Sequence, residues 1–105
     1  MEQPNLSYIE SMSGGDKSFE QKLISIIKQE FPEEKQTYTN SISIKDYKAT
    51  AEIVHKLKHK ISILGLVKSY EVAAAYELEL LEGQSDLKEE FELIIATITN
   101  YLQEI

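Results

Sequence analysis

Apolar residues recur along this chain at intervals of three and four residues, the spacing of an amphipathic α-helix. Only four glycines and two prolines interrupt the pattern in 105 residues. The glycines fall at 14–15, 65 and 83, between apolar segments that are long enough for helices. The sequence therefore predicts helices joined by short turns rather than a sheet.

The pattern predicts a short opening helix over about 5–12, followed by a long second helix. Asp16 is the N-cap candidate of the second helix, which we expect to continue to about residue 43. Pro32 lacks a backbone donor, so it either kinks this helix or restarts it. The predicted apolar stripe of the second helix consists of Phe19, Leu23, Ile26, Ile27 and Phe31.

Asp46 is the N-cap candidate of a third helix, which ends near Leu64 because Gly65 occupies the position that favours left-handed backbone. A fourth helix is predicted over about 67–82, and Asp86 opens the fifth, with an acidic capping-box partner three residues later. Long amphipathic helices with short turns are typical of an up-and-down antiparallel bundle. We expect one all-α domain over 1–105, a four-helix bundle with a short extra N-terminal helix.

Composition limits the function classes. The net charge of −7 argues against a nucleic-acid-binding protein, whose charge would have the opposite sign. The absence of cysteine excludes disulfides, thiol nucleophiles and thiolate metal sites. We find no signal peptide and no apolar run of the ~20 residues that a membrane span needs, so a cytoplasmic location is expected.

Positive charge is concentrated between residues 45 and 68. This segment contains six lysines and two acidic residues, a net +4, which leaves −11 for the rest of the chain. Both histidines, His55 and His59, lie within it. A solvated, lysine-rich helix face would give the same pattern, so charge alone does not decide between a site and a plain surface.

A helical wheel of the third helix places His55 nearly opposite its core-facing stripe. The small residues Ala51 and Ser62 lie on the same outer face as His55, which leaves room for a protein partner. A neutral imidazole is a nucleophile, and Lys58, three residues on, can attract a phosphoryl group and stabilise its charge. This pair suits phosphoryl acceptance better than proton abstraction. The predicted core stripe comprises Thr50, Ile53, Val54, Leu57, Ile61 and Leu64.

Two separated motifs then point to a family. The third helix contains His55-Lys56-Leu57-Lys58, and Leu64-Gly65-Leu66 follows it. These motifs resemble the signature of histidine-containing phosphotransfer (HPt) domains, which is His-x-Leu-Lys-Gly followed by Leu-Gly. The opening segment also looks like that of the family, and the similarity extends from Asn5 to about residue 100.

The resemblance implies a phosphorelay intermediate with His55 as the phosphorylated residue. Such a domain has no kinase or hydrolase activity of its own: it accepts a phosphoryl group from an aspartyl phosphate on one receiver domain and passes it to another. Lys58 matches the lysine beside the phosphohistidine. Glu77 falls on the fourth helix where the family often has a residue that holds the other imidazole nitrogen, although a solvated helix residue is the alternative there. No cofactor is expected on the chain itself, and the receiver would hold the Mg²⁺.

The expected partners are the receiver domains of a hybrid sensor histidine kinase and of a response regulator. Lys56 and Lys60 are expected to attract the acidic active site of a receiver. By analogy with the family, Ile9 and Met12 form an apolar docking surface or cap the end of the bundle. We expect a monomer, either a free-standing protein or a domain excised from a hybrid kinase.

His59 departs from the family pattern, which has glycine at this position. Glycine leaves room for the partner's active site, so we expect His59 to tune partner access. The alternatives are a second phosphoryl acceptor or a damaged site. With a damaged site, the chain would be a helical scaffold that binds receiver or kinase domains without carrying phosphate.

Two other classes are disfavoured. Glu52, His55 and His59 are spaced for one helical side and could chelate Zn²⁺ or Cu²⁺, but an exposed helix with lysines nearby makes a poor closed site. We therefore expect no metal site. An independent enzyme is disfavoured because the sequence has no Gly-rich phosphate loop and no HExxH motif.

Overall fold

The computed structural model describes residues 2–105, which form five α-helices and no strand. The all-α fold class and the order of the helices predicted from the sequence are confirmed. The helices are α1 (Ser7–Ser13), α2 (Lys17–Ser43), α3 (Tyr47–Ile63), α4 (Val67–Leu81) and α5 (Lys88–Glu104).

Side-chain caps define where α2 and α3 begin. Asp16 Oδ1 accepts a hydrogen bond from the Phe19 N–H at 3.1 Å, and Asp46 Oδ1 accepts one from the Ala49 N–H at 3.2 Å. Each cap satisfies a donor that has no partner within the first helical turn. Both predicted caps are confirmed, and α2 continues through Pro32, which therefore does not restart it.

The core lies between the four long helices, and α1 closes one end of it. α3 packs on α2 and on α4, while α5 packs on α4 and on α2, so the packing is consistent with a helical bundle. The molecule measures 44 × 23 × 19 Å along its principal axes. All six residues of the predicted α3 stripe are buried: Thr50, Ile53, Val54, Leu57, Ile61 and Leu64.

The side of α2 that faces the core differs from the predicted stripe. Ile27 and Phe31 are buried as expected, but Phe19 and Ile26 remain 45% and 41% exposed, and Ile24 is buried in the core. Because α2 carries apolar residues on two adjacent sides, their spacing alone does not determine which side meets the other helices.

α5 begins without the predicted Asp86 cap. The helix starts at Lys88, and no side chain caps it from the N-cap position, Leu87. Instead, the Leu87 N–H donates to Glu79 Oε1 at 2.6 Å. The predicted cap is therefore wrong: the helix starts later than Asp86 predicts, and Glu79 accepts the bond from the N-cap N–H that a local capping-box side chain would otherwise accept.

The turn between α3 and α4 requires glycine at position 65. Gly65 has φ 79°, in the left-handed region. A Cβ there would lie 2.6 Å from Asn5 Nδ2. The segment before α1 crosses this turn, and the Asn5 N–H donates to the Leu64 carbonyl oxygen at 2.9 Å. The turn is thus held by a close contact as well as by its backbone conformation.

A buried pair of tyrosines joins α2, α4 and α5. The hydroxyl oxygens of Tyr38 and Tyr76 are 2.8 Å apart, and the Tyr38 hydroxyl donates to Glu92 Oε2 at 2.9 Å. Since the single hydroxyl proton of Tyr38 goes to Glu92, Tyr76 is the donor to Tyr38. This chain of hydrogen bonds satisfies the polar ends of both rings inside the core.

Candidate functional site

His55 lies on the outer face of α3, next to α4. Its side chain is 53% exposed, and its Nδ1 is 3.1 Å from Glu77 Oε2. A carboxylate at Nδ1 favours the neutral tautomer that carries its proton on this nitrogen. In that tautomer, Nε2 is the nitrogen with the free lone pair.

Glu77 contacts both His55 and Lys58. Its Oε1 is 2.9 Å from Lys58 Nζ, and its Oε2 faces His55. Partial burial on its own raises the pKa of Glu77, but the hydrogen bond and charge of Lys58, together with His55, lower this pKa by more. The net pKa lies below the ordinary value, so Glu77 is a carboxylate at neutral pH.

Lys58 is held at the site rather than extended into solvent. Its side chain is only 14% exposed. Its ammonium lies 5.7 Å from the centroid of the Tyr70 ring, a cation–π distance. The ion pair with Glu77 and the aromatic ring together fix its position. The charge of Lys58 is therefore already paired before any anion reaches the site.

His59 lies one helical turn beyond His55, and the two rings are in edge-to-face contact. Their centroids are 5.0 Å apart and their planes are at 89° to one another. His59 is exposed. The position that the HPt pattern gives to glycine is thus occupied by an imidazole in direct contact with His55.

A shallow groove of about 340 Å³ adjoins His55 on the side of α4. Its lining includes Leu81, an exposed residue one turn beyond Glu77 that the sequence analysis did not single out. The spacing of four from Glu77 is the signal that could have identified it. A larger cavity of about 460 Å³ lies between α2 and α5 and includes neither histidine. The shallow groove beside His55 is lined by Ala51, Glu52, His55, Lys56, Glu77 and Leu81.

Lys60 is not part of the exposed basic surface, contrary to the prediction. Its side chain is 11% exposed, and its Nζ lies 3.0 Å from carboxylate oxygens of Glu30 and of Glu34 on α2. Burial alone lowers the pKa of Lys60, but the hydrogen bonds to these two carboxylates and their charges raise it above its ordinary value. Five residues along a helix turn the side chain by about 140°, which directs Lys60 away from the His55 face.

The other predicted contact residues divide into accessible and buried ones. Lys56 and Ser62 are exposed on the outer face of α3, whereas Ala51 is buried although it lines the groove. Ile9 is fully buried in the core, so it belongs to the closure of the bundle rather than to a docking surface. Met12 remains exposed.

The spacing of Glu52, His55 and His59 raised the question of a metal chelate. Among residues 2–105, no group of three or more His, Cys, Asp or Glu side chains is arranged to hold a metal ion. Glu52, His55 and His59 are not among such groups.

Comparisons of this chain with protein-family models, curated proteins and solved structures give no match. Within the described part of the chain, no helix combines the length and the apolar character needed to cross a membrane.

Proposed function

We propose that this chain is a phosphorelay intermediate that accepts a phosphoryl group on His55 from a receiver-domain aspartyl phosphate and passes it to another receiver. The observation that carries the proposal is the contact of His55 Nδ1 with Glu77, whose other carboxylate oxygen binds Lys58. One exposed imidazole thus has a defined tautomer and an ammonium group nearby. This arrangement supports the role that the resemblance to HPt domains implies.

The transfer step follows from that tautomer. The lone pair on His55 Nε2 attacks phosphorus, the bond between phosphorus and the aspartyl oxygen breaks, and its electron pair leaves on the carboxylate. Nδ1 keeps its proton, and the positive charge gained by the ring lies beside the Glu77 carboxylate. The reverse of this step delivers the phosphoryl group to the next receiver.

Lys58 stabilises the charge of the phosphoryl group once it reaches His55. An ammonium has three N–H donors, and one bond to Glu77 leaves two for phosphoryl oxygens. A pre-positioned cation costs no reorganisation when the phosphoryl group arrives. In this proposal Glu77 is a positioning residue that orients both His55 and Lys58.

The proposal includes an up-and-down antiparallel four-helix bundle made of α2 to α5, with α1 as the extra helix. Contacts of α2 with α3, α3 with α4, α4 with α5 and α5 with α2 support a closed ring of four. Thr50 at the start of α3 hydrogen-bonds to Ser41, and Lys60 near its end bonds to Glu30 and Glu34. The start of α3 therefore lies beside the end of α2, and the end of α3 lies beside an earlier part of α2, which supports an antiparallel arrangement of these two helices.

The chain acts in this scheme as a carrier and has no kinase or hydrolase activity of its own. The Mg²⁺ required for transfer is held by the acidic site of the receiver. The exposed Lys56 beside His55 supports the approach of such an acidic site.

Phosphotransfer from a labelled, phosphorylated receiver domain tests the proposal directly. Wild type, His55→Gln and His59→Gln are compared for acid-labile, base-stable label, with circular dichroism to establish that each variant folds. We expect label on wild type and on His59→Gln and none on His55→Gln. Label lost only in His59→Gln would move the acceptor by one turn, and receiver binding without any label would favour the scaffold.

A further inference from the structure

The phosphoryl group on His55 needs more positive charge than the paired lysine offers. A phosphoryl group carries about −2 charge at neutral pH. Lys58 matches the lysine that lies beside the phosphohistidine in the HPt pattern. In this chain its Nζ is 2.9 Å from Glu77 Oε1. The net charge of the Lys58–Glu77 pair is zero, so only the positive charge that the His55 ring gains offsets the phosphoryl group, and about one negative charge is left unbalanced.

His59 is placed to supply the missing charge. Its ring contacts the His55 ring at a centroid distance of 5.0 Å and is exposed, so it can reorient towards a group attached to His55. A protonated imidazole has two N–H donors and a full positive charge, while a neutral one has one donor and no charge. The charge that faces the phosphoryl group from this side therefore depends on protonation.

We propose that protonated His59 is a second cationic contact of the phosphoryl group on His55, so that His59 makes the lifetime of phospho-His55 depend on pH. This inference rests on the proposed function of His55 as acceptor. It assigns to His59 a direct interaction with the transferred group, in the place where the resembling family has a glycine.

The surrounding charges leave His59 available for this contact. Three carboxylates that α2 and α4 bring to α3 are paired with lysines: Glu30 and Glu34 with Lys60, and Glu77 with Lys58. The charged groups on α3 itself are Lys48, Glu52, Lys56, Lys58 and Lys60, and the one carboxylate among them, Glu52, is two helical turns from His59.

The direction of the effect follows from the chemistry of dephosphorylation. Water takes the phosphoryl group, the bond between phosphorus and Nε2 breaks, and inorganic phosphate and the neutral imidazole are formed. The transition state of such a transfer is loose, with less negative charge on the phosphoryl oxygens than in the starting group. A cation beside those oxygens therefore stabilises the bound form more than the transition state, and the label persists longer.

The test uses phosphoramidate as a small donor, so that no receiver is needed. Its phosphorus–nitrogen bond breaks, ammonia leaves, and the new bond forms to His55 Nε2. After removal of the donor, loss of label is followed by ³¹P NMR at about pH 5.5, where an ordinary imidazole is largely protonated, and at about pH 8.5, where it is neutral. The acid lability common to all phosphohistidines cancels in the ratio of wild-type to variant half-life.

We expect the half-life of wild type to exceed that of His59→Gln about threefold at the lower pH, which corresponds to one charge at roughly 5 Å in a largely aqueous setting. The two half-lives should be equal at the higher pH. His59→Lys should restore the long half-life at both pH values. Lys56→Gln is the matched control: it removes a permanent charge, so its ratio to wild type should not change with pH.

A ratio of wild-type to His59→Gln half-life of one at both pH values would overturn the inference. A ratio raised equally at both pH values would also overturn it, because the size of the His59 side chain rather than its charge would then be responsible. Label that persists in His55→Gln would show that His59 is itself phosphorylated, which also overturns it. Each of these results would overturn the role of His59 while the wild-type protein is still phosphorylated, so the proposed function would remain. Failure of wild type to take up any label would instead remove His55 as acceptor and, with it, the proposed function.

Discussion

Glu77 and His55 meet across the interface of α3 and α4, with 3.1 Å between Oε2 and Nδ1, although they are 22 residues apart in the chain. The contact depends on the register of the two helices, which the Gly65 turn fixes. Because Glu77 is an anion rather than an amide, it binds Lys58 at the same time. The tautomer of the imidazole and the position of the ammonium are therefore coupled through one side chain.

Replacing Glu77 by glutamine should slow phosphorylation of His55 by phosphoramidate roughly tenfold, the lower end of the effect of removing a carboxylate that orients a metal-bound imidazole. The amide keeps the size of the side chain but neither holds the proton on Nδ1 as strongly nor pairs with Lys58. Glu52→Gln is the matched control, since Glu52 lines the same groove but makes no hydrogen bond or ion pair with His55 or Lys58. Equal rates for Glu77→Gln and wild type would contradict the positioning role.

The same carboxylate should make stability depend on pH. The pKa of Glu77 in the folded protein is lowered from its ordinary value of 4.5 by Lys58 and His55, which outweigh the opposing effect of burial. The resulting stabilisation is present above pH 4.5 and is lost as the pH falls through the lower folded-state pKa. Urea unfolding at about pH 6 and about pH 3 should show that wild type loses more stability than Glu77→Gln over this interval. Parallel losses would contradict the linkage.

Gly65→Ala and Gly83→Ala form a matched pair that separates backbone strain from a steric clash. The two glycines have φ values of 79° and 80°, so alanine in either position costs about 1–2 kcal/mol of left-handed strain. A Cβ at Gly83 meets nothing within 4 Å, whereas at Gly65 it meets the Asn5 side chain at 2.6 Å. Gly65→Ala should therefore be the more destabilising in urea unfolding. Adding Asn5→Ala should remove the difference, and an undiminished difference would show that Asn5 is not its cause.

Lys56 and Lys60 should affect different properties although both lie on α3. Lys60→Met should lower the free energy of unfolding by about 1–3 kcal/mol, because it leaves the partly buried Glu34 without its cation. Lys56→Gln should leave stability within about 0.5 kcal/mol, since Lys56 is exposed. At low salt, Lys56→Gln should slow association with a receiver, as measured by stopped flow, and this difference from wild type should shrink as salt is added. If Lys60→Met slowed association with the receiver more than Lys56→Gln did, Lys60 rather than Lys56 would be the lysine that attracts the receiver.

Features set by local sequence were predictable, and features set by the packing of helices were not. The α3 stripe and the Asp16 and Asp46 caps follow from spacing and from hydrogen bonds within one turn. The start of α5 was missed because its backbone donor is satisfied by Glu79, eight residues earlier on another helix. A capping motif describes only the segment that contains it.

The partners of Lys60 had a detectable signal. Glu30 and Glu34 are spaced by four residues, so they lie on one side of α2 and form a suitable pair for a lysine from a neighbouring helix. Recognising this required knowledge of which side of α2 faces α3. That orientation depends on the choice between two apolar stripes, which the sequence pattern did not settle.

The buried tyrosine pair gives the protein a built-in optical probe of unfolding. The chain has six tyrosines and no tryptophan, so phenol absorbance is not obscured by indole. Burial, chiefly, raises the pKa of Tyr76 to about 12, and burial together with Tyr76 and Glu92 raises the pKa of Tyr38 as well. At about pH 11, solvated phenols are ionised while this pair stays protonated in the folded state. Unfolding at that pH releases both as phenolates, and the added ultraviolet absorbance reports separation of α2 from α4 without any attached dye.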